Sequence, residues 1–324
     1  MPPIDVPLSL LDRSRTRAGE PDALALLSTI ERARLAEELG YHRFWVAEHH
    51  AVPGIGSGSP AVLAAAVAAR TSRIRVGSGG VMLPNHAPLV VAEQFAVLES
   101  LHPGRVDLGL GRSLGFSAPV REALGATEAD PDRFLADVDA VRAFLGGRGP
   151  VTATPRLAVP PPIFLLAGGR GLSLAGRAGL PVAVGGPALE GAAALDAYRR
   201  AVRATGGDPY VIASVTVMVA DSEDRARDLL LPEAWAMAAS RTTGAFPPLE
   251  DVAAVRSRTL TSKQRATMEQ FLAGSVYGTA GQVAERLGQL VRRTGADEVM
   301  ATTSTFERAD QARADAALAS LFAS

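Results

Sequence analysis

Tyr41-His42-Arg43-Phe44-Trp45-Val46 passes without a break into Ala47-Glu48-His49-His50. The first six residues are rich in aromatic and branched side chains, the composition of a strand. Upstream, Asp22 to Leu39 sets Leu26, Leu27, Ile30, Ala33 and Ala36 among charged residues and stops at Gly40. That is an amphipathic helix with a glycine stop. Downstream, Ser59-Pro60 offers an N-cap and a proline whose missing N–H costs nothing in a first helical turn. An alanine-rich helix follows to about Arg70. The carboxylate and the histidine pair therefore lie between a strand and a helix, just past the strand's C-terminal end.

The alternation extends in both directions. Ile4–Leu10, Ile74–Leu83, Arg105–Leu110, Ile163–Leu166, Val182–Val184, Val211–Val219 and Glu298–Thr302 read as further strands. Helices are expected at 88–101, 134–145, 172–179, 188–204, 222–239, 280–294 and 307–322, the sixth opened by a capping box of Thr279 and Gln282. Eight strands alternating with helices over 324 residues predict an α/β fold, a (β/α)8 TIM barrel. An open doubly wound sheet with a cap is the competing arrangement. Segments near 111–132, 146–162 and 240–279 break the rhythm. They are expected to be insertions or lids at the C-terminal face of a single 1–324 domain, a usual location for catalytic loops.

Composition narrows the function. Apolar residues make up 47% and charged residues 21%, enough for a large ordered core. The net charge is −1, and no basic block with interleaved aromatics is present, which argues against nucleic acid as a partner. With no cysteine there is no disulfide, no thiolate metal site and no cysteine nucleophile. No basic-then-apolar leader opens the chain, and its longest apolar run is far short of the roughly 20 residues that cross a bilayer. A cytoplasmic protein working on a small-molecule substrate is the expectation.

The unusual residues collect at strand ends. Glu48-His49-His50 follows the second strand, Gly77-Ser78-Gly79-Gly80 lies in the third, Gly109-Leu110-Gly111-Arg112 ends the fourth, and Ala167-Gly168-Gly169-Arg170-Gly171 ends the fifth. In a barrel all four come to the face where active sites form. A lone histidine beside a strand is more often structural. A pair behind a carboxylate at this face points instead to an acid/base or hydrogen-bonding role for one of them, oriented by its neighbours. No metal site is expected, because neighbouring side chains in extended backbone face opposite ways and no His-Glu-x-x-His spacing occurs. Gly168-Gly169-Arg170-Gly171 at a strand–helix junction suits an anion, held by backbone N–H groups and the arginine, although an ordinary tight turn fits equally. Arg112 offers a second basic group. Gly109-Leu110-Gly111-Arg112-Ser113-Leu114-Gly115 departs from a dinucleotide fingerprint in its last spacing and in its position in the chain.

Gly40 to His50, Arg73-Ile74-Arg75-Val76-Gly77-Ser78-Gly79-Gly80-Val81-Met82-Leu83-Pro84-Asn85-His86 and His102 to Arg112 together resemble the bacterial luciferase-like flavin-dependent monooxygenases. Val276-Tyr277-Gly278-Thr279 and Thr294 to Met300 are similar too. The resemblance is continuous from about residue 4 to 113 and patchy beyond. It implies a barrel that binds reduced FMN loosely at its mouth, supplied by a separate flavin reductase, and a homodimer. Reaction with oxygen to a C4a-peroxyflavin would then oxygenate a small or medium organic substrate. It implies catalytic roles for His49, Glu48 and His50. It also implies a cofactor site of Leu10, a cis Gly79–Gly80 peptide beneath the flavin ring, and Arg112 with Gly168, Gly169, Arg170 and Gly171 at the phosphate. Gly111 stands where light-emitting relatives carry a reactive thiol. Ala167-Gly168-Gly169, Gly185-Gly186-Pro187 and Ser113-Leu114-Gly115-Phe116 also depart from the family pattern. Two other functions fit the same barrel: deazaflavin-dependent hydride transfer, and flavin binding without catalysis.

Overall fold

The computed structural model describes residues 3–125, 130–169 and 171–323. Its strands are β1 (Leu8–Asp12), β2 (Arg43–Val46), β3 (Arg75–Ser78), β4 (Val81–Met82), β5 (Val106–Gly111), β6 (Ile163–Ala167), β7 (Val182–Gly185), β8 (Val211–Val215), β9 (Val217–Val219), β10 (Val276–Gly278) and β11 (Glu298–Ala301). Its helices are α1 (Ala23–Glu38), α2 (Pro60–Ala68), α3 (Pro88–Leu101), α4 (Ala118–Ala123), α5 (Pro131–Leu145), α6 (Gly171–Ala178), α7 (Ala193–Ala204), α8 (Glu223–Thr243), α9 (Val252–Arg256), α10 (Ser262–Ala273), α11 (Ala280–Thr294) and α12 (Arg308–Ala319). The main sheet runs β3-β2-β1-β11-β8-β7-β6-β5-β4, and β3 also pairs with β5, so it closes on itself. Every pairing is parallel. With β3 and β4 as two pieces of one strand, this is the closed eight-stranded (β/α)8 barrel that the alternation predicts.

Strand alternation sorts the side chains into two cores. Leu10, Phe44, Val46, Val76, Leu108, Leu110, Val182 and Val299 face outward and pack with the helices. Trp45, Phe164, Ala183, Ile212 and Met300 face inward and fill the barrel. Beneath them, at the strands' N-terminal ends, Arg43 donates to Asp107 at 2.8 Å and to Glu298 at 2.8 Å. Trp45 Nε1 donates to the same Asp107 at 3.0 Å, and Tyr210 Oη to Glu298 at 2.9 Å. The barrel is plugged from below, which leaves its C-terminal mouth as the open end.

Three departures from the sequence reading have physical causes. The expected third strand, Ile74–Leu83, is broken at Gly79–Gly80. Gly77 pairs with Asp107 but Val81 with Leu110, so this strand holds one residue more than its neighbour between the two points, as in a bulge. The expected strand Val211–Val219 splits: β8 stays in the barrel, whereas β9 leaves it to pair with β10. Thr303 Oγ1 takes the freed Val217 N–H at 2.9 Å. The region 240–262 also holds more structure than expected, since α8 runs on to Thr243 and α9 lies within it. Beyond it, α10 opens with a capping box of Thr261 and Gln264. Only Met268 and Leu272 of α10 are buried, too weak an apolar stripe to announce a helix.

Candidate active site

The mouth is built from the C-terminal ends of β1, β2, β4, β5 and β6 and the loops that leave them. Past β2 the chain turns, and the His49 N–H donates to Ser57 O at 3.0 Å. The turn sends the three polar side chains of the motif to two places. Glu48 is buried, and its Oε1 accepts from His50 Nε2 at 2.5 Å and His86 Nε2 at 2.7 Å. Its Oε2 accepts the Met82 N–H at 2.8 Å. Burial pushes this carboxyl up, but the bonds from His86, Met82 and His50 outweigh it and hold Glu48 below the ordinary value. The cluster ties the end of β2 to β4 and the turn after it.

His49 stands apart. Its ring stacks on Phe116, centroids 5.6 Å apart and planes 25° from parallel. Phe116 meets Phe246 edge to face at 5.2 Å. His49 Nδ1 is buried without a hydrogen-bond partner. Burial first, then the charges of Arg13 and Arg15, lower its pKa from 6.5 to about 4, with Glu48 opposing. The imidazole is therefore neutral at neutral pH and can take up a proton.

Three ligand atoms of Glu48, His50 and His86 lie within 4.8 Å of one another, a grouping that could receive a metal ion. His49 and His50 do diverge, but the histidine that joins His50 is His86, brought in from beyond β4. Contacts of 2.5 and 2.7 Å are hydrogen-bond lengths. Two donors on one tetrahedral zinc, each about 2.0–2.1 Å from it, would stand more than about 3 Å apart. The hydrogen-bonded cluster is the better description of these three side chains.

At Gly79, Gly80 and Gly109 the wall of the mouth has no room for a side chain. The Gly79–Gly80 peptide is cis. A Cβ on Gly79 would meet Leu11 Cδ1 at 2.5 Å, and one on Gly80 would meet Gly109 O at 2.7 Å. On Gly109 it would lie 2.1 Å from Ser78 O. Of the residues assigned to the cofactor, Leu10 is fully buried on the outer face of β1, so its side chain cannot reach the mouth. Its neighbour Leu11 faces inward instead. Arg112 is partly buried and has no side-chain hydrogen bond or ion pair among the described residues. Gly168 and Gly169 are exposed, with nothing within 4 Å of a Cβ built on either, and Gly171 begins α6. Arg170 lies outside the described residues, as do residues 126–129 of the 111–132 segment.

The segment over the mouth is fastened rather than free. Gly54 N donates to Phe246 O at 2.8 Å, Leu249 N to Thr16 O at 2.9 Å, and Ala18 N to Leu249 O at 2.8 Å. Beneath it, Arg15 and Arg13 share Glu233 of α8, at 3.1 and 3.3 Å from the same Oε1. Sequence reasoning assigned no role to His86, Arg13, Glu233 or Phe246, and noted Phe116 only as a departure from the family pattern. His86 closes the Arg73–His86 motif, and Arg13 directly follows a strand end, so both carried a positional signal. Glu233 and Phe246, far along the chain, carried none.

The family model for luciferase-like monooxygenases matches residues 8–298. A luciferase-like monooxygenase of Escherichia coli strain K12 is 34% identical over 314 residues, 93% of this chain and 92% of that protein. The crystal structure of apo-MsnO8 superposes with a TM-score of 0.83 at 30% identity, covering 98% of each chain. The fold also recurs, at a TM-score of 0.72 and 19% identity over 98% and 97% of the two chains, in a Pseudomonas putida enzyme. That protein, the oxygenating constituent of 3,6-diketocamphane monooxygenase, was solved in complex with FMN. This chain belongs to the luciferase-like monooxygenase family and is an oxidoreductase of that class.

Proposed function

We propose that the protein is an FMN-dependent monooxygenase that takes reduced flavin from a separate reductase and uses oxygen to oxygenate a small or medium organic substrate. One juxtaposition carries this reading. Glycines that leave no room for a Cβ, an arginine unpaired among the described residues and a neutral histidine whose Nδ1 has no partner lie at the C-terminal ends of neighbouring strands. The residues present fit the cofactor. The Gly79–Gly80 backbone would lie under the ring system. Arg112 and the Gly168–Gly171 loop would hold the phosphate, where a guanidinium unpaired among the described residues is the right donor. Bound reduced flavin supplies the electrons with which oxygen is activated; that organic chemistry is the cofactor's own.

The chain does the rest. Neutral His49 accepts or returns a proton at its ring nitrogen. Phe116 and Phe246 keep water from that nitrogen, so competing reactions with solvent are suppressed. The Glu48–His50–His86 cluster fixes the backbone on which His49 rides and does not itself touch the reacting atoms. Exposed Leu27, Val62, Val97 and Leu101 on α1, α2 and α3 favour a homodimer through these helices.

Anaerobic titration with chemically reduced FMN, followed by an oxygen pulse, tests the proposal. Saturable binding and an altered rate of flavin reoxidation are expected. Folded protein that neither binds reduced FMN nor changes its oxidation would refute it.

A further inference from the structure

Arg13, Arg15 and Glu233 form a charge cluster that the proposed reaction leaves unexplained. Two guanidiniums share one carboxylate, so the cluster carries one net positive charge under a largely apolar cover. Arg15 is buried and fully employed: Nε donates to Glu233 at 3.1 Å, Nη1 to Gly54 O at 2.7 Å and Nη2 to Pro247 O at 3.3 Å. It is bound into the segment that closes over the mouth. Arg13 differs. Its only partner among the described residues is the same Glu233 oxygen, at 3.3 Å from Nη2, and its side chain is 18% exposed. Most of its five donors are therefore free, and none is among the fully buried unmet atoms, so they are open to a ligand from solvent. A carboxylate would exchange their water contacts for charge-assisted hydrogen bonds.

The surroundings define the ligand. The charges of Arg13 and Arg15 both act on the His49 ring, so the cluster lies beside the proposed reaction centre. Arg15 lies 5.4 Å from the Phe246 ring centroid, and Phe246 and Phe116 carry the contact on to His49. A free guanidinium fork that shares its carboxylate with an arginine packed on Phe246 suits a molecule with a carboxylate at one end and an apolar body at the other.

We propose that Arg13 is a specificity-determining residue that binds the carboxylate of an organic acid substrate, whose apolar body lies against Phe116 and Phe246 beside His49. The inference rests on the monooxygenase reading for the word substrate, but binding is separable from flavin chemistry. Anion binding at Arg13 also offsets part of the positive field at His49, so the bound acid raises the proton affinity of that ring.

The test uses the flavin-free protein and matched probes, 4-phenylbutanoate with 4-phenylbutanamide and 3-(benzylthio)propanoate with its amide. Calorimetry and the His49 imidazole resonances follow binding. Both acids are expected to bind at least about tenfold more tightly than their amides, a difference of about 1.4 kcal/mol. Both should shift the His49 signals and raise its titration midpoint. Arg13→Gln should bring the acid-to-amide ratio to within about twofold while Arg13→Lys retains a preference. Should Arg13→Gln fail to fold, the wild-type ratio must still fall as salt rises from 20 to 500 mM (trial concentrations chosen to span about 20 Å to 4 Å of Debye length). Amides that bind as well as acids overturn the proposal. So does an absence of binding by any probe, a preference that survives in Arg13→Gln or is indifferent to salt, or a loss confined to reduced-FMN affinity. Failure of the wild type to bind reduced FMN would instead remove the monooxygenase reading and leave the acid preference standing.

Discussion

The imidazole of His49 lies against the ring of Phe116, 5.6 Å between centroids and 25° from parallel. Phe116 is itself 42% exposed and His49 partly so, while His49 Nδ1 is buried. This contact joins the loop after β5 to the turn after β2, two segments nearly 70 residues apart in the chain, and it gives the histidine the dry surroundings that depress its pKa.

Removing that ring should change chemistry more than stability. Phe116→Ala gives up a stacking contact of about 0.5–1.5 kcal/mol from an exposed side chain, so the thermal midpoint should fall by only a few degrees, on the order of 2–4 °C per kcal/mol for a chain this large. Water then reaches the mouth. In the proposed reaction, oxygen consumed should appear increasingly as hydrogen peroxide rather than in product. Peroxide yield measured against oxygen uptake checks this, and an unchanged ratio would remove Phe116 as the water barrier.

His49→Ala should fold normally, because Nδ1 has no hydrogen-bond partner to lose, and should slow oxygen transfer about 10²–10⁴-fold, the usual contribution of a placed proton-transfer group. Reduced-FMN affinity should change little. Single-turnover product formation after an oxygen pulse separates the two effects. Wild-type turnover in this variant would take His49 out of the mechanism.

The acid side of the pH profile carries the same signature. His49 is lowered to about 4 by burial and by Arg13 and Arg15, with Glu48 raising it and His50 lowering it. In the unfolded chain it titrates near 6.5. The folded state binds fewer protons between these values, so stability rises with pH across the window and is lost as pH falls from about 6.5 towards 4. Activity that depends on neutral His49 should persist to about pH 5 and fall below it. A histidine resonance with a midpoint near 4 is expected in the wild type and should be absent from His49→Ala. A midpoint near 6.5 would show that the ring is wet.

The barrel was legible before the structure because its strands alternate with helices and its polar motifs fall at strand ends. The helix at Pro88–Leu101 and the one at Ala280–Thr294 keep the very limits that proline, apolar spacing and the Thr279–Gln282 box imply. Glu48, His49 and the Gly79–Gly80 peptide were readable as motifs. Which histidine joins Glu48 was not, because His86 arrives only through the break in the third strand, which adds a residue that periodicity cannot reveal. Leu10 faces outward from β1 and Leu11 inward, an alternation in which one position decides the face. The cover formed by Phe116, Phe246, Arg15 and Glu233 depends on contacts across as many as 218 positions (Arg15 to Glu233), and local pattern holds no information at that range.

The closed lower end of the barrel yields a stability prediction independent of the site. Asp107 is fully buried and accepts from Arg43 at 2.8 Å, Trp45 at 3.0 Å and Arg75 at 2.6 Å. Asp107→Ala removes the shared acceptor and leaves Arg43 facing Glu298 alone, with the Trp45 N–H unmet inside the barrel. Breaking a buried pair from one side costs about 3–5 kcal/mol, because the remaining charge stays desolvated. Asp107→Asn keeps the shape and one acceptor oxygen, so it should cost less. The order of urea midpoints, wild type above Asp107→Asn above Asp107→Ala, checks the argument, provided the denaturant slope is unchanged. Arg43→Met together with Glu298→Gln, so that no second buried charge is orphaned, in the Asp107→Ala background then discriminates charge from packing. If the lone guanidinium is the cost, this paired change should recover part of the loss. Should it destabilise further, the network contributes through packing of its side chains, and the electrostatic account of the barrel floor fails.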